Sequence, residues 1–144
     1  MKKNLIYFMI INIAICEKIY NYYELAAQKW CSDTYMIHGL WPQTDENHYP
    51  SYCEDVEYIF PDDNILESMQ HMWKGCDDEL WSHEWKKHGS CMKKQINITE
   101  NDFFNITLQL FDSHRFLLET NCDFENENCI MGCFDLDYNL MLNC

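Results

Sequence analysis

The chain has few basic residues. It carries 10 Lys and Arg against 24 Asp and Glu, so its formal net charge is −14 at pH 7. Broad, non-specific binding of nucleic acid needs many cations to neutralise phosphates, and this balance argues against it. An enzyme that holds one or two nucleotides is not excluded. As the pH falls, carboxylates lose charge and the six histidines gain it, so a polyanion would be repelled less in an acidic compartment.

The usual metal-binding spacings are absent from the sequence. No two cysteines have the C-x-x-C spacing of zinc and cluster sites. The motif His-Glu-x-x-His needs histidines four residues apart, whereas His83 and His88 are five apart, about 140° around an α-helix. We therefore expect no metal ligands and no cofactor.

The only long apolar run lies at the N-terminus. Lys2 and Lys3 precede the apolar stretch 5–15, and small residues surround position 16, which together predict a secretory signal peptide over residues 1–16. The run is shorter than the roughly 20 residues that span a bilayer. Cleavage after Cys16 changes the net charge from −14 to −16. No repeat, low-complexity tract or linker follows, which predicts a single domain over residues 17–144.

Cysteines are frequent in the remaining chain. Eight are left after cleavage, and in a short secreted chain an even number of this size predicts four disulfides whose pairing the sequence alone does not fix. They are Cys31, Cys53, Cys76, Cys91, Cys122, Cys129, Cys133 and Cys144. Asn97 and Asn105 each begin an Asn-Ile-Thr sequon, which predicts glycosylation in the secretory pathway.

The apolar patterning predicts a mixture of strands and helices. Residues 20–29 and 36–41 resemble strands, the second stopped by Pro42, and residues 43–62 a loop held by Cys53. Helical spacing covers residues 62–74, 77–88 and 99–118, with Gly75 and Gly89 as stops and acidic residues 77 and 78 at the second start. Residues from 122 onward suggest short strands and turns. The mixture lacks βαβ alternation and so favours the α+β class.

Two segments concentrate groups that carry acid–base chemistry. One is Ile37-His38-Gly39-Leu40-Trp41-Pro42, and the other is His83-Glu84-Trp85-Lys86-Lys87-His88-Gly89-Ser90-Cys91. On a helix, Glu84 and His88 are four residues apart and face the same way, and His83 and Lys87 form a second such pair. Taken singly, each histidine is more often an ordinary surface or core residue. The combination is more specific.

Both segments resemble the two active-site motifs of the ribonuclease T2 family. Members of this family are acid endoribonucleases of secretions, lysosomes and vacuoles. The resemblance extends loosely to residues 22–30 and 133–144. It implies an α+β fold with a central antiparallel sheet, packed helices, disulfide staples and, in this chain, a shortened C-terminal half. It also implies the pairs Cys53–Cys91 and Cys133–Cys144, which leave Cys31–Cys76 and Cys122–Cys129.

The family's chemistry implies roles for the residues of both motifs. The ribose 2′-hydroxyl attacks the adjacent phosphorus and gives a 2′,3′-cyclic phosphate, with no metal. By resemblance, His88 is the base and His38 the acid, with Lys87 and Glu84 beside the phosphoryl oxygens. His83 would help to bind phosphate or the second nucleotide.

Substrate-binding residues and partners follow from the same chemistry. Trp41 is the expected base-stacking residue, with Tyr49 beside it, while Gln43 replaces the Asp or Asn common in the family and leaves base preference open. The expected substrate is single-stranded RNA and not DNA, which lacks the attacking hydroxyl. We expect a monomer without a membrane span, located outside the cell or in a lysosome or vacuole.

Two alternatives remain open. The chain could be an extracellular binding or signalling protein that keeps the fold but turns over little RNA. It could also be a metal-binding extracellular module that uses His83, His88 and nearby carboxylates, which chelators would disturb.

Overall fold

A three-stranded antiparallel sheet packs against a set of helices. The computed structural model of the protein describes residues 17–77 and 79–144. The strands have the spatial order β2-β1-β3 and are β1 (Tyr22–Gln28), β2 (Met36–Gln43) and β3 (Asn128–Phe134). The helices are α1 (Asp63–Met72), α2 (Glu79–Glu84), a π-helical turn (Trp85–Gly89), α3 (Ser90–Ile96), α4 (Glu100–Ser113) and α5 (Leu117–Asn121). The α+β class is confirmed.

Two sequence-based predictions fall on residues that the structure does not describe. The proposed signal peptide, residues 1–16, lies outside the described residues, as does Asp78 at the predicted start of the second helix. Within residues 17–77 and 79–144, none of the helices combines the length and apolar character needed to cross a membrane.

The two faces of β1 have different partners. Tyr23, Leu25 and Ala27 are fully buried and join the aromatic core, which is built mainly from Trp73 and the α4 residues Phe103, Phe104 and Phe111. Side chains alternate between the faces of a strand, so Glu24 lies on the opposite face, where its Cα pairs with that of Trp41. This second face supports the site described below.

A β-bulge in β2 places His38. Ala26 pairs with Gly39 and Ala27 with Ile37, so His38 is an extra residue without a partner of its own on β1. A bulge changes the direction of a side chain and increases the local twist. The imidazole is thereby directed out of the regular ladder.

Pro42 does not stop β2, contrary to the sequence-based expectation. The strand continues to Gln43, and the Cα of Pro42 pairs with that of Tyr23. Because β2 is an edge strand of the sheet, a residue without an N–H donor can be accommodated there.

The predicted stop at Gly89 is also wrong. Its φ and ψ are −60° and −35°, and the helix passes through it into α3, which ends at Asn97 in the left-handed conformation with φ 55°. Gly89 is required for space, because a Cβ at this position would overlap the Trp85 ring. The predicted helix over 99–118 begins as expected, with a capping box between Thr99 and Asp102. It is divided by a turn at 114–116 into α4 and α5.

Four disulfides link the loops to these elements. They are Cys31–Cys76, Cys53–Cys91, Cys122–Cys129 and Cys133–Cys144, which are the pairings that the family resemblance implied. Between β2 and α1 the chain forms neither a helix nor a regular strand, as predicted, and Cys53 ties this loop to α3.

Candidate active site

A single buried carboxylate lies between the two predicted catalytic imidazoles. Glu84 is 1% exposed. Its Oε1 is 3.7 Å from His38 Nε2, and its Oε2 is 3.9 Å from His88 Nε2. Trp41 Nε1 donates a hydrogen bond of 2.9 Å to the same Oε2. Groups that are 50 residues apart in the sequence therefore meet around one side chain.

Gly39 makes this close approach possible. A Cβ at position 39 would overlap Glu84 Oε2 and crowd the indole nitrogen of Trp41. The glycine of the first motif is thus explained by the carboxylate of the second. No φ above zero is involved, since positive φ among the described residues occurs only at Cys31, Tyr52, Asn97 and Tyr138.

The Trp41 ring contacts both imidazoles. Its centroid is 5.0 Å from that of His38, in an edge-on arrangement, and 5.5 Å from that of His88, with an interplanar angle of 28°. The structure therefore gives Trp41 a positioning contact with Glu84 and His88 that the sequence did not predict. Tyr49 is 52% exposed, and its ring lies 6.2 Å from that of His88 and beneath the Lys87 ammonium.

The second motif lies on the π turn. The Ser90 N–H donates to the carbonyl of Trp85, five residues earlier, and the Lys87 carbonyl accepts a 2.9 Å hydrogen bond from the Tyr52 N–H. The Cys53 N–H donates to Ser90 Oγ at 3.0 Å beside the Cys53–Cys91 disulfide. π turns are rare and occur frequently at functional sites. The neighbouring loop thus holds the turn that carries His88.

The π turn corrects one geometric step of the sequence analysis. The angle of about 140° between His83 and His88 assumes α-helical geometry throughout, which residues 85–89 do not have. Within residues 17–77 and 79–144, no three His, Cys, Asp or Glu side chains are grouped so that they could hold a metal ion. The alternative of a metal-binding module therefore gains no support from the described geometry.

Burial controls the protonation of the cluster. It raises the pKa of Glu84 to about 8, against the lowering effects of the Trp41 hydrogen bond and of Lys87. Burial, together with the charges of Lys87, His83 and His38, lowers the pKa of His88 to about 3. Burial also lowers the pKa of His38, although a hydrogen bond with the Asn128 side chain partly offsets this effect. Low dielectric disfavours each charged form, which accounts for all three directions.

Two pockets adjoin the cluster, one lined by His88 and the other by His38. The His88 pocket, about 320 Å³, is lined by Glu24, Trp41, Gln43, Glu46, Asn47, Tyr49, Lys87 and His88. The His38 pocket, about 290 Å³, is lined by Trp30, His38, Gly75, Cys76, Asp77, Glu79, Leu80 and His83. Two larger depressions, of about 510 and 740 Å³, have no histidine in their lining, so we do not assign the site to them.

The predicted site residues are distributed around this cluster. His38, Trp41, Glu84, Lys87 and His88 come together, while His83 lies at the outer edge of the His38 pocket, with Tyr52 edge-on to its ring at 6.5 Å. Asn97 and Asn105 are both exposed, at the end of α3 and on α4, and their glycosylation stays a prediction.

Two contacts were missed in the sequence analysis. The Asn128 side chain, at the start of β3, interacts with His38 and raises its pKa, and Glu24 lies in the His88 pocket. For Glu24 a signal did exist, because a carboxylate interrupts an otherwise uncharged strand. For Asn128, no local sequence pattern indicated a contact with His38.

Comparison with known proteins identifies the family. The sequence model of the ribonuclease T2 family matches residues 4–123, and the chain therefore belongs to this family. Ribonuclease Trv of Hypocrea rufa is 35% identical over 101 residues, which cover 56% of this chain and 43% of that protein. Ribonuclease 1 of Arabidopsis thaliana is 36% identical over 83 residues, covering 51% and 35%. The chain spans less than half the length of these curated relatives.

A solved structure supports the fold. The crystal structure of RNase NT in complex with 5′-AMP superposes with a TM-score of 0.57, covering 87% of this chain and 90% of that chain. The sequence identity is 17%, so this likeness concerns the fold alone.

Proposed function

We propose that this chain is an endoribonuclease that cleaves single-stranded RNA by transphosphorylation. The single observation that carries the proposal is the convergence of His38 and His88 on Glu84, at 3.7 and 3.9 Å. Two imidazoles at one site can supply a base and an acid to the same phosphodiester. Family membership supports the same chemistry.

The two pockets support a division of roles between the histidines. The His88 pocket would hold the nucleotide that carries the attacking 2′-hydroxyl, and the His38 pocket the leaving nucleoside. His88 then takes the proton of the 2′-hydroxyl as its oxygen bonds to phosphorus. The bond from phosphorus to the 5′-oxygen breaks, and His38 donates a proton to that oxygen. The products are a 2′,3′-cyclic phosphate and a free 5′-hydroxyl.

Glu84 and Lys87 act on the phosphoryl oxygens in this proposal. An ionised carboxylate would repel a phosphodiester, but the raised pKa of Glu84, about 8, keeps it protonated under acidic conditions. A neutral carboxyl group can donate a hydrogen bond to a phosphoryl oxygen, and the Lys87 ammonium offsets the charge that develops on the phosphorane. Both contacts would stabilise the transition state.

The histidine environments predict an acidic optimum. The base works only when neutral, so activity rises with pH through the pKa of His88 at about 3. The acid works only when protonated, so activity falls through the pKa of His38, which lies below its usual 6.5. We expect a bell-shaped profile of kcat/KM with its maximum between these limits. A maximum above pH 7 would contradict the assignment.

The test of the function uses the oxidised chain and a dinucleotide at about pH 5 in the presence of EDTA. Formation of a 2′,3′-cyclic phosphate supports the proposal. His38→Ala and His88→Ala should each lower the rate by about 10²–10⁴-fold. His71→Ala is the matched control, since His71 is exposed on α1. If the folded, disulfide-bonded protein forms no product, the binding protein becomes the better description.

Secretion is a further part of the proposal. Four disulfides are characteristic of chains that fold in an oxidising compartment. Expression of the full sequence in a secreting host should release a chain that begins at Glu17 and carries glycans at the sequons. Mass spectrometry before and after glycosidase treatment checks both expectations, and a retained leader would contradict the first.

A further inference from the structure

Glu24 is an unusual residue for its position. It lies in β1 between Tyr23 and Leu25, which are fully buried in the core, and it is itself half-buried on the opposite face of the strand. Burial raises the pKa of its carboxyl. Placing a carboxylate there costs free energy that an apolar residue would avoid. The fold alone does not explain it.

The surroundings of Glu24 form the floor of the His88 pocket. Its Cα pairs with that of Trp41 across the ladder, and Gln43 Nε2 donates a 3.1 Å hydrogen bond to Glu24 Oε2. Gln43 is 5% exposed, so this amide is held within the wall of the pocket. One N–H of this amide donates to Glu24, and the carbonyl oxygen of Gln43 stays available as an acceptor for a ligand.

The part of the pocket formed by Glu24 and Gln43 therefore presents acceptors to a ligand. Glu24 contributes its carboxylate and Gln43 its carbonyl oxygen, while Glu46 adds a second carboxylate to the lining. A volume of about 320 Å³ is at the lower end of ligand sites and suits a single base. Tyr49 and Trp41 supply aromatic surface for stacking.

We infer that Glu24 and Gln43 make this pocket selective for guanine. This inference rests on the proposed function, in which the pocket holds the nucleotide 5′ to the cleaved bond. Guanine presents N1–H and N2–H₂ as adjacent donors on one edge, which match neighbouring acceptor oxygens. Adenine and cytosine each present one amino group beside an acceptor nitrogen. Uracil presents one N–H between two carbonyl oxygens, which the Glu24 carboxylate would repel.

The kinetic test compares dinucleotides that differ only in the 5′ base, together with an analogue that has ribose but no base at that position. We expect kcat/KM for the guanine substrate to exceed that for the uracil substrate by about tenfold or more, as expected for hydrogen bonds to a charged group. Glu24→Gln should reduce this ratio by about the same factor, and its rate on the analogue without a base measures any loss of activity that does not depend on the base. Glu67→Gln, on the exposed surface of α1, is the matched control.

A binding measurement separates this inference from the proposed function. Calorimetry with guanosine 3′-phosphate and uridine 3′-phosphate needs no turnover. Tighter binding of the guanosine compound, lost in Glu24→Gln, supports the selectivity even if no substrate is cleaved. Missing cleavage would refute only the proposed enzymatic function. Equal binding of both, or an unchanged preference in Glu24→Gln, would overturn the inference while leaving cleavage of RNA intact. If the variant also loses activity on the analogue without a base, Gln43→Leu in the parent background provides the second test of the same preference.

Discussion

The bulge that carries His38 and the π turn that carries His88 are different backbone irregularities, but both position an imidazole beside Glu84. Each inserts one residue into a regular element and so directs an imidazole toward Glu84. At the bulge, the Trp73 indole donates a 2.8 Å hydrogen bond to the carbonyl of His38 itself. At the π turn, the Tyr52 N–H donates to the carbonyl of Lys87, one residue before His88. The buried Nδ1 atoms of both imidazoles have no hydrogen-bond partner among the described residues.

This difference indicates how each ring is held. The backbone of His38 is fixed by a direct hydrogen bond, and its ring contacts those of Trp30 and Trp41 at centroid distances of 4.8 and 5.0 Å. His88 depends on stacking with Trp41 and on the backbone bond from Tyr52 to the turn. A hydrogen bond to the residue itself restrains its imidazole more directly than a bond to the preceding residue does. We therefore expect the two histidines to respond differently to changes in the substrate and in their surroundings.

The largest expected effect distinguishes the acid from the base. With a nucleoside 3′-(4-nitrophenyl phosphate), the leaving group departs without protonation, so His38→Ala should regain most of its activity. His88→Ala should stay about 10²–10⁴-fold below the parent on both substrates, since the 2′-hydroxyl still needs a base. Release of nitrophenolate is followed by its absorbance. Rescue of His88→Ala instead would reverse the two roles.

The two glycines next to the histidines provide a second comparison. Gly39→Ala places a methyl group against Glu84, and Gly89→Ala places one against the Trp85 ring. Each overpacked site should cost about 1–3 kcal/mol in the free energy of unfolding. Only Gly39→Ala displaces the central carboxyl group, so at equal stability it should lose more activity. Chemical denaturation and dinucleotide cleavage measure the two effects, and equal losses of activity would contradict this view of the bulge.

The smallest expected effect is the pH dependence of stability. Glu84 has a folded-state pKa of about 8 against an ordinary value of 4.5, so its contribution is present below pH 4.5 and is lost as the pH rises to 8. His88, with a folded pKa of about 3 against 6.5, contributes fully above pH 6.5 and loses this contribution as the pH falls through 3. Between pH 6.5 and 8 only the Glu84 effect changes, by about 2 kcal/mol.

Glu84→Gln isolates this effect. The variant keeps a similar shape and cannot ionise. Its free energy of unfolding should therefore fall less than that of the parent between pH 6.5 and 8, as measured by urea denaturation at each pH. The same decline in both proteins would show that Glu84 is not the group responsible.

The sequence predicted the members of the site better than their geometry. Periodicity placed Glu84 and His88 on one face, and the structure brings them together. It could not reveal the π turn, because a single inserted residue leaves the apolar pattern almost unchanged. Gly89 shows the ambiguity of a local signal, since glycine serves equally as a helix stop and as space for a neighbouring ring.

Contacts between segments that are distant in the sequence could not be predicted either. The bulge at His38 depends on the register of two strands, and the Asn128 contact joins the first motif to β3, 90 residues later. The Trp41 bond to Glu84 likewise needs both motifs in place. Such features follow from assembly of the tertiary structure and leave no pattern within either segment.

Trp73 links the aromatic core to the backbone of His38. The indole is fully buried among aromatic rings, yet its N–H reaches the His38 carbonyl, and its own carbonyl accepts a 2.5 Å bond from the Trp81 indole. Unfolding of the aromatic core would therefore release the His38 imidazole in the same transition. Heat inactivation and the change in intrinsic fluorescence should consequently share one midpoint, without an inactive stage in which the interior is still intact.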